Sequence, residues 1–302
     1  MHTDRRRAIA ALTAAGLLWG TTVPLSKVAL ESLPPGWLSF ARFAVAAVPL
    51  LTITRSKIRA VCTPAILASG AIGYGGSVVL QNMGITRTSV SHAALLIGAV
   101  PVLVAIIAAC WHRTVARPLA WAGFAVSLAG VAMVAGGGGG GATVSGDVLV
   151  LASLLASAAF TVAQGSLLRD RDPIAVTAVQ FLGAALGVLP VALTSEGVPA
   201  GPGSAGAVLA AAGLAVAGTL APCTLFAYGQ SKVAAEVAGA FVNLEPVVGA
   251  AAGAVVFGDP ASLGLIGGGV AILAGLAMSS RPLVSGVQRT GGGACPAAPP
   301  GR

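Results

Sequence analysis

Charged residues are scarce in this sequence, and their scarcity indicates its solvent. Only 9% of its 302 residues are charged, whereas 56% are hydrophobic. A soluble domain carries about 25% charged residues. In water, a chain of this composition would expose large apolar patches and aggregate. The composition therefore excludes an ordinary soluble domain and favours a protein that lies in a lipid bilayer.

Cysteine and histidine are also rare. The four cysteines include no CxxC pair and the three histidines are scattered, so the sequence predicts no metal site, no disulfide framework and no cofactor. The glycine run from Gly136 to Gly141 is not followed by Gly-Lys-Ser/Thr, which excludes a phosphate-binding loop and direct use of ATP. No HExxH or GxSxG motif is present either, which argues against an enzyme.

The net charge of +8 does not indicate a nucleic-acid partner, because the basic residues form no patch with interleaved aromatic side chains. They lie in short clusters between apolar segments, as the positive-inside rule places them. With the N-terminus in the cytoplasm, that side receives Arg5, Arg6, Arg7, Arg55, Lys57, Arg59, Arg113, Arg117, Arg169, Arg171, Lys232, Arg281, Arg289 and Arg302. The opposite side keeps only Lys27 and Arg87. The sequence therefore predicts a multi-pass protein of the cell membrane with both termini in the cytoplasm.

A membrane-spanning helix needs about 20 mostly apolar residues. The predicted spans are 8–30, 36–54, 64–85, 90–111, 118–136, 146–168, 174–194, 205–228, 234–257 and 262–280. They leave residues 1–7 as a cytoplasmic N-terminus, 137–145 as a Gly-rich linker and 281–302 as a disordered cytoplasmic tail. Short turns join several spans, so counts of nine and eleven stay open.

The two halves of the chain, 8–136 and 146–280, repeat one pattern. Equivalent glycines and prolines keep one ungapped register in both halves: Gly84 and Gly229, Pro101 and Pro246, Gly123 and Gly268, and Gly130 and Gly275. Because each half holds an odd number of spans, the second half starts on the opposite side of the membrane. The predicted fold class is an all-α integral membrane protein with ten transmembrane helices as two inverted five-helix repeats, an architecture that recurs in secondary transporters.

Several short motifs occur in a specific order and spacing. They are Leu18-Trp19-Gly20 with Lys27 downstream, Pro34-Pro35 followed by Ala41-Arg42-Phe43, Leu244-Glu245-Pro246-Val247, and Gly258-Asp259 before the glycines from Gly267 to Gly275. On these motifs the chain resembles the ten-helix EamA type of the drug/metabolite transporter superfamily from about residue 8 to residue 280. Two positions depart from the family pattern: Thr114 stands where an acidic turn residue is expected in the first half, and Asp259 stands where glutamate is more usual in the second. The resemblance implies a carrier of amino acids, metabolites, nucleobases or drugs without choosing among them.

Charged side chains inside a span cost at least about 2.5–3.5 kcal/mol, so they face the bundle interior and often serve function. Glu245 lies about eleven residues into its span. We expect it to line a central cavity and to bind a cationic group or exchange a proton; a structural carboxylic acid is the alternative. Arg42 either holds a substrate carboxylate or phosphate, or positions its helix by snorkelling or ion pairing.

Further candidates for substrate binding or coupling are polar or aromatic residues within spans: Trp19, Gln81, Gln164, Gln180, Asn243 and Tyr228. Gln164 and Gln180 align with Lys27 and Arg42 of the first half, which predicts a cavity charged toward the outside and neutral toward the inside. Hydrogen bonding between helices is the alternative role. His92 lies a few residues into the fourth span, and we expect it at the outer interface rather than in a proton relay.

Prolines and glycines inside the spans have structural roles in this prediction. Pro24, Pro101, Pro222 and Pro246 supply either hinges or fixed kinks. Gly249 and Gly253 form a Gly-xxx-Gly pattern that allows close helix crossing. That crossing lies within the bundle or in a homodimer, so monomer and dimer both stay open.

These features favour a secondary transporter that moves small metabolites across the cytoplasmic membrane by alternating access, in the direction of export. Coupling to protons or to substrate exchange is expected. Its partners are a small-molecule substrate and the lipid bilayer. A flippase for lipid-linked intermediates is the nearest alternative, and an intramembrane enzyme is a more distant one.

Overall fold

A computed structural model describes residues 2–112, 118–136, 143–199, 201, 203–233, 238, 241–242, 244–259 and 262–285. All regular elements among these residues are helices. The first half contains α1 His2–Trp19, α2 Thr22–Ala29, α3 Pro35–Ile53, α4 Ile58–Val61, α5 Pro64–Ser69, the π-helix π1 Gly70–Gly76, α6 Ser77–Ile85, α7 Val90–Ile97, α8 Val100–His112 and α9 Pro118–Gly136. The second half contains α10 Val144–Leu167, α11 Pro173–Ser195, α12 Ala205–Ala215, the π-helix π2 Val216–Leu220, α13 Ala221–Gln230, α14 Leu244–Val256 and α15 Leu263–Ser285.

Many of these helices have the length and composition of membrane spans. Six stretches among the described residues are long and apolar enough to cross a membrane: Asp4–Ala29, Pro35–Ile53, Val90–Trp111, Val144–Leu167, Pro173–Ser195 and Ala205–Gln230. Shorter apolar helices cover Trp121–Gly130, Leu244–Val256 and Ile266–Gly275. The chain is therefore a multi-pass membrane protein that is helical wherever its regular structure is described. The total of ten spans stays a prediction.

The helix ends lie close to the predicted boundaries, with differences near both termini. Helix α1 begins at His2, so the arginines at 5–7 belong to a helix rather than to a separate N-terminal segment. Helix α15 continues to Ser285, five residues past the predicted end at 280. Most of the predicted linker and tail, residues 137–142 and 286–302, lies outside the described residues.

Three interruptions of the helices lie next to prolines. Proline has no N–H to donate to the carbonyl four residues earlier, so an α-helix is weakened there. At each of these interruptions a carbonyl receives no α-helical hydrogen bond because a proline lies four residues later: Gly20 before Pro24, Ile97 before Pro101, and Val242 before Pro246. Helix α1 ends just before Gly20, α7 ends at Ile97, and α14 begins after Val242. The interruptions at Ile97 and Val242 are equivalent in the two halves.

The two π-helices also lie at equivalent positions. Residues 70–76 of π1 align with residues 215–221, which enclose π2. A π-turn widens the helix and disturbs its regular bonding, and such turns frequently occur at functional sites. In π1 the hydroxyl of Ser77 donates to the carbonyl of Gly73. The equivalent of Ser77 is Pro222 in α13, which has no N–H, and the equivalent of Gly73 is Gly218 in π2.

Packing between the halves follows the same equivalence. Helix α10 of the second half packs against α6 and π1 of the first half. Its equivalents in the first half, α1 and α2, pack against α13 and α12 of the second half. Helix α11 packs against α3 and π1, while α3 packs against α11, α12 and π2. Helix α7 packs against α14, and α9 against α15. Exchanging the halves leaves these neighbours unchanged, so an internal pseudo-two-fold axis relates them.

Glycines allow the close crossing of α9 and α15. A Cβ on Gly130 would lie 2.6 Å from the carbonyl oxygen of Gly268. A Cβ on Gly275 would meet the carbonyl oxygen of Gly123 and would lie 2.6 Å from the backbone nitrogen of Ser127. Gly123 is equivalent to Gly268, and Gly130 is equivalent to Gly275. The contact of Gly130 with Gly268 and that of Gly275 with Gly123 are therefore the same contact, made once from each half.

Gly275→Leu is expected to destabilise the bundle by about 3 kcal/mol, because an overpacked contact against backbone has no flexible neighbour to yield. The measurement is the thermal midpoint of the detergent-solubilised protein, followed by size-exclusion chromatography. Gly165→Ala is the matched control, since no atom lies within 4 Å of its added Cβ and alanine favours the helix. A Gly275→Leu midpoint equal to that of the control would contradict this crossing.

A loop contact joins the halves where α3 ends and α11 begins. Lys57 Nζ lies 2.5 Å from Asp172 Oδ2, and Asp172 Oδ1 accepts hydrogen bonds from the amides of Ile174 and Ala175, each at 3.0 Å. Partial burial alone would raise the pKa of Asp172, but the Lys57 ammonium and the two amides outweigh it and hold the pKa below its ordinary value. The stabilisation is therefore present above the carboxyl's unfolded pKa and is lost as the pH falls through the folded pKa.

Candidate functional site

A cavity of about 130 Å³ lies between the two halves. Its walls come from α1–α3, π1, α6–α8, α10, α13 and α14, together with Val242. Four pairs of lining residues are equivalent in the two halves: Val78 and Cys223, Gln81 and Phe226, Ile97 and Val242, and Val100 and Glu245. The cavity therefore lies on the pseudo-two-fold axis, and at these four pairs the halves contribute equivalent positions.

Arg42 lines the cavity and is held by π2. Its side chain is buried, with 5% of the residue exposed. Nε donates to Thr219 Oγ1 at 2.8 Å, and Nη2 donates to the carbonyl oxygen of Gly218 at 3.0 Å. Gly218 is the residue whose carbonyl receives no α-helical bond from Pro222. Arg42 therefore supplies the carbonyl of Gly218 with a hydrogen bond that Pro222 cannot donate.

The guanidinium keeps donors for a ligand. Arginine has five N–H groups in a rigid fork, and two of its nitrogens bond to π2. Within the described part of the chain, no carboxylate oxygen lies within 4.0 Å of Arg42. A carboxylate or phosphate that enters the cavity would find an unpaired, preoriented cation.

Glu245 lines the same cavity from the first turn of α14. Only 7% of the residue is exposed. Thr22 Oγ1 approaches Glu245 Oε1 at 3.3 Å, which is long for a hydroxyl donor, and it lies closer, at 2.7 Å, to the carbonyl oxygen of Trp19. No basic nitrogen of the described residues lies within 4.0 Å of the Glu245 carboxyl group. One cavity therefore holds a cation and an acid that are not paired with each other.

The other predicted candidates divide into two groups. Trp19 and Gln81 line the cavity. Gln164 and Gln180 lie outside its lining, because their amides bond to each other: Gln180 Nε2 donates to Gln164 Oε1 at 2.6 Å, and Gln164 Nε2 donates to Gln180 Oε1 at 3.2 Å. Tyr228 is half-buried on α13 and does not line this cavity. Asn243 lies outside the described residues.

The predicted hinge and packing residues occupy defined positions. Pro222 is a residue of α13, next to π2. A Cβ on Gly249 would lie 2.7 Å from Ala94 Cβ, and one on Gly253 would lie 2.9 Å from the backbone nitrogen of Ser91. Both glycines therefore pack α14 against α7 within the chain. Whether the four prolines move or stay fixed is a prediction that remains to be tested.

Aromatic rings form much of the cavity wall, and sequence reasoning missed most of them. Tyr74 lies 4.6 Å from Phe160 and 5.9 Å from Phe43 between ring centroids, and Trp19 lies 5.0 Å from Phe226. Phe160 belongs to the set Leu154, Ser157, Phe160 and Thr161, which lines the cavity from α10. The three- and four-residue spacing of that set is the signal that marks one helical face.

A helical membrane bundle with two equivalent halves and a charged cavity on their axis has the arrangement of a membrane carrier. The chain belongs to the EamA-like transporter family, whose profile matches residues 6–136 and again residues 144–281. The two matches coincide with the two halves of the fold. The resemblance drawn from the sequence motifs is confirmed, and the protein is a membrane transporter of this family.

Individual relatives agree with the family. An uncharacterized transporter of Archaeoglobus fulgidus is 24% identical over 85% of this chain and 93% of its own length. The uncharacterized inner membrane transporter YedA of Escherichia coli K12 is 26% identical over 83% of each chain. A probable terminal-alkyne amino-acid exporter of Streptantibioticus cattleyicolor is 30% identical over 43% of this chain and 45% of its own. A known crystal structure shares the fold, with a TM-score of 0.68, 23% identity and coverage of 92% of this chain and 99% of that one.

Proposed function

We propose that this chain is a secondary transporter that moves small metabolites (amino acids, nucleobases or drug-like compounds) out of the cell by alternating access. The observation that carries the proposal is the presence of Arg42 and Glu245, buried and not paired with each other, in one cavity on the axis between the halves. Buried charges are usually neutralised by a partner. A substrate that brings the missing partners would bind there, and its release would restore the empty cavity.

Among these substrates, a zwitterion such as an amino acid matches the cavity best. Its carboxylate would accept hydrogen bonds from the Arg42 guanidinium, and its ammonium group would pair with Glu245. The aromatic wall around Tyr74 and Phe160 would contact an apolar side chain. The partial similarity to a probable amino-acid exporter supports the same class.

The proposed topology has ten spans in two inverted repeats, with the N- and C-termini in the cytoplasm. The loops that hold Lys57 and Arg169 to Arg171 lie at the end of the bundle that also holds Gln164, and we assign this end to the cytoplasm. Lys27 lies at the opposite, outer end. Membrane lipid and the small-molecule substrate are the proposed partners.

The test is transport in proteoliposomes that contain the purified protein. Radiolabelled amino acids, nucleobases and a cationic dye are offered with and without an imposed pH gradient. We expect saturable flux of at least one zwitterionic amino acid, driven by the gradient or by trans-loaded substrate. Protein-free liposomes are the control. Flux of nucleobases or dyes alone would exclude the zwitterion, and flux of no soluble compound would contradict a small-metabolite carrier.

The flippase alternative is favoured by one observation. An apolar groove of about 260 Å³ runs between α14 and α15, beside Glu245, and its walls include Pro246, Ile266 and Gly269. The equivalents of Ile266 and Gly269 are Trp121 and Phe124, which stack edge to face in the first half. Movement of a lipid-linked compound between leaflets, with no soluble substrate moved, would support this function.

A further inference from the structure

Polar side chains tie several helices together at the outer end of the bundle. Lys27 Nζ donates to the carbonyl oxygens of Ile85 and Thr88, at 3.0 and 2.8 Å. The amide of Ser91 donates to Asp259 Oδ2 at 2.7 Å. These bonds connect α2, the turn between α6 and α7, and the turn after α14.

His92 and Asp147 form the buried part of this cluster. Only 3% of His92 and 8% of Asp147 are exposed, so His92 lies inside the cluster rather than at an exposed interface. His92 Nδ1 lies 2.9 Å from Asp147 Oδ1, and Thr88 Oγ1 lies 3.1 Å from the same nitrogen and 3.3 Å from the same oxygen. The pair joins α7 to α10, which belong to different halves.

The opposite end of the bundle holds a cluster of neutral side chains between the cavity and the Lys57–Asp172 loop contact. Gln164 and Gln180 bond to each other across α10 and α11, and Gln180 Nε2 also donates to Ser69 Oγ at 3.1 Å. Gln164 is the equivalent of Lys27, and Val237 is the equivalent of His92. The described bonds of this glutamine cluster involve no ionisable side chain.

The cavity lies between the two clusters along individual helices. On α10, Asp147 precedes the cavity residues Leu154 to Thr161, and Gln164 follows them. From α5 to α6, Ser69 precedes the cavity residues Gly73 to Gln81, and Ile85 follows them. Opening the cavity to either side therefore requires one cluster to separate.

We propose that His92 and Asp147 form a proton-operated latch that closes the outer end of the cavity, while the inner end opens independently of protons. This inference rests on the proposed transport function, for which it supplies the site of regulation. Histidine is the side chain that ordinarily changes charge between pH 5 and 8. A protonated imidazole adds the attraction of opposite charges to its hydrogen bond with a carboxylate, which a neutral imidazole lacks, so external acid holds the latch closed and alkali releases it.

The charges that face His92 fix the sign. Asp147 on α10 supplies the anion, and Lys27 on α2 supplies a cation that also interacts with Asp259. Exposed Arg87 lies on the turn before α7. With Asp147 replaced by asparagine, protonated His92 would be buried without its anion. Acid would then open the outer end instead of closing it.

Cys223 reports the opening without knowledge of the substrate. It lines the cavity and is buried. In a background with Cys62, Cys110 and Cys295 replaced by serine, a membrane-impermeant maleimide is added outside intact cells. The labelling rate is measured at about pH 6 and about pH 8, and each rate is divided by that of His92→Gln at the same pH, which cancels the intrinsic reactivity of the thiol.

The ratio of the Cys223 labelling rate with His92 present to the rate in His92→Gln is expected to be about tenfold lower at the acidic pH than at the alkaline pH. This is the size of effect that loss of a charge-assisted hydrogen bond produces. Asp147→Asn should reverse that order. Equal ratios at both pH values, an unreversed Asp147→Asn, or no labelling of Cys223 from outside would each overturn the latch. Size-exclusion profiles confirm that the variants fold. A pH-dependent ratio without flux of any substrate would retain the latch and reject the transport function.

Discussion

Glu245→Gln is expected to lower gradient-driven flux by about 10- to 100-fold, the range that corresponds to the loss of one charged hydrogen bond. The amide keeps the shape of the side chain and can still accept from Thr22, whose hydroxyl lies 3.3 Å from Oε1. It can neither carry a proton nor neutralise an ammonium group. Proteoliposome uptake and counterflow, measured with and without a pH gradient, check this result.

The two assays separate two roles of Glu245. Loss of gradient-driven flux with normal counterflow would identify a proton site, whereas loss of both would identify a substrate site. Glu31→Gln is the matched control, because it makes the same chemical change at an exposed residue outside the cavity. If Glu245→Gln and its control transport equally, Glu245 has a structural role only.

Arg42→Gln is expected to raise the KM for a carboxylated substrate by about 10- to 100-fold, since the bidentate donor is lost. The fold should tolerate this change because glutamine occupies the equivalent position, Gln180, where it bonds within the bundle. The matched substrate is the amine that lacks the carboxylate, whose transport should change little. Initial rates at varied concentrations of both substrates provide the measurement.

Lysine should not rescue Arg42. Its single ammonium group cannot replace the planar fork that bonds Thr219 and Gly218 together. We therefore expect Arg42→Lys to resemble Arg42→Gln for the carboxylated substrate. If both variants lose acid and amine transport equally and also melt early, Arg42 stabilises π2 without recognising substrate.

The sequence predicted the helices well because apolar runs and prolines are local features. Pro64 and Ile85 bound the predicted third span and also the helical run from α5 to α6. The apolar runs also place Glu245 and Arg42 within spans, where the cost of buried charge points to the interior. These predictions need only the order of residues along the chain.

The parts that sequence reasoning missed depend on distant neighbours. Nothing local shows that Gln164 and Gln180 satisfy each other rather than face a substrate, since that choice depends on how α10 and α11 approach. The π-helices could not be predicted, because the wider turn does not change the hydrophobic period of the sequence. Pro222 is the one local signal, since it leaves the carbonyl of Gly218 free to accept from Arg42. The position of His92 a few residues into its span predicts only an outer interface, since its partner Asp147 is 55 residues away in the sequence.

The exchange of neighbours between the halves bears on the energy of the resting protein. In a perfectly symmetric chain, the conformations open to either side would be related by the two-fold rotation and would have equal energy and equal population. The two halves of this chain differ at most aligned positions, and three of the differences involve charge: Lys27, Arg42 and Glu245 stand opposite Gln164, Gln180 and Val100. A bias of only about 1.4 kcal/mol changes a two-state ratio tenfold. A net difference of that size between the charged and the neutral positions is therefore enough to bias which way the empty protein faces.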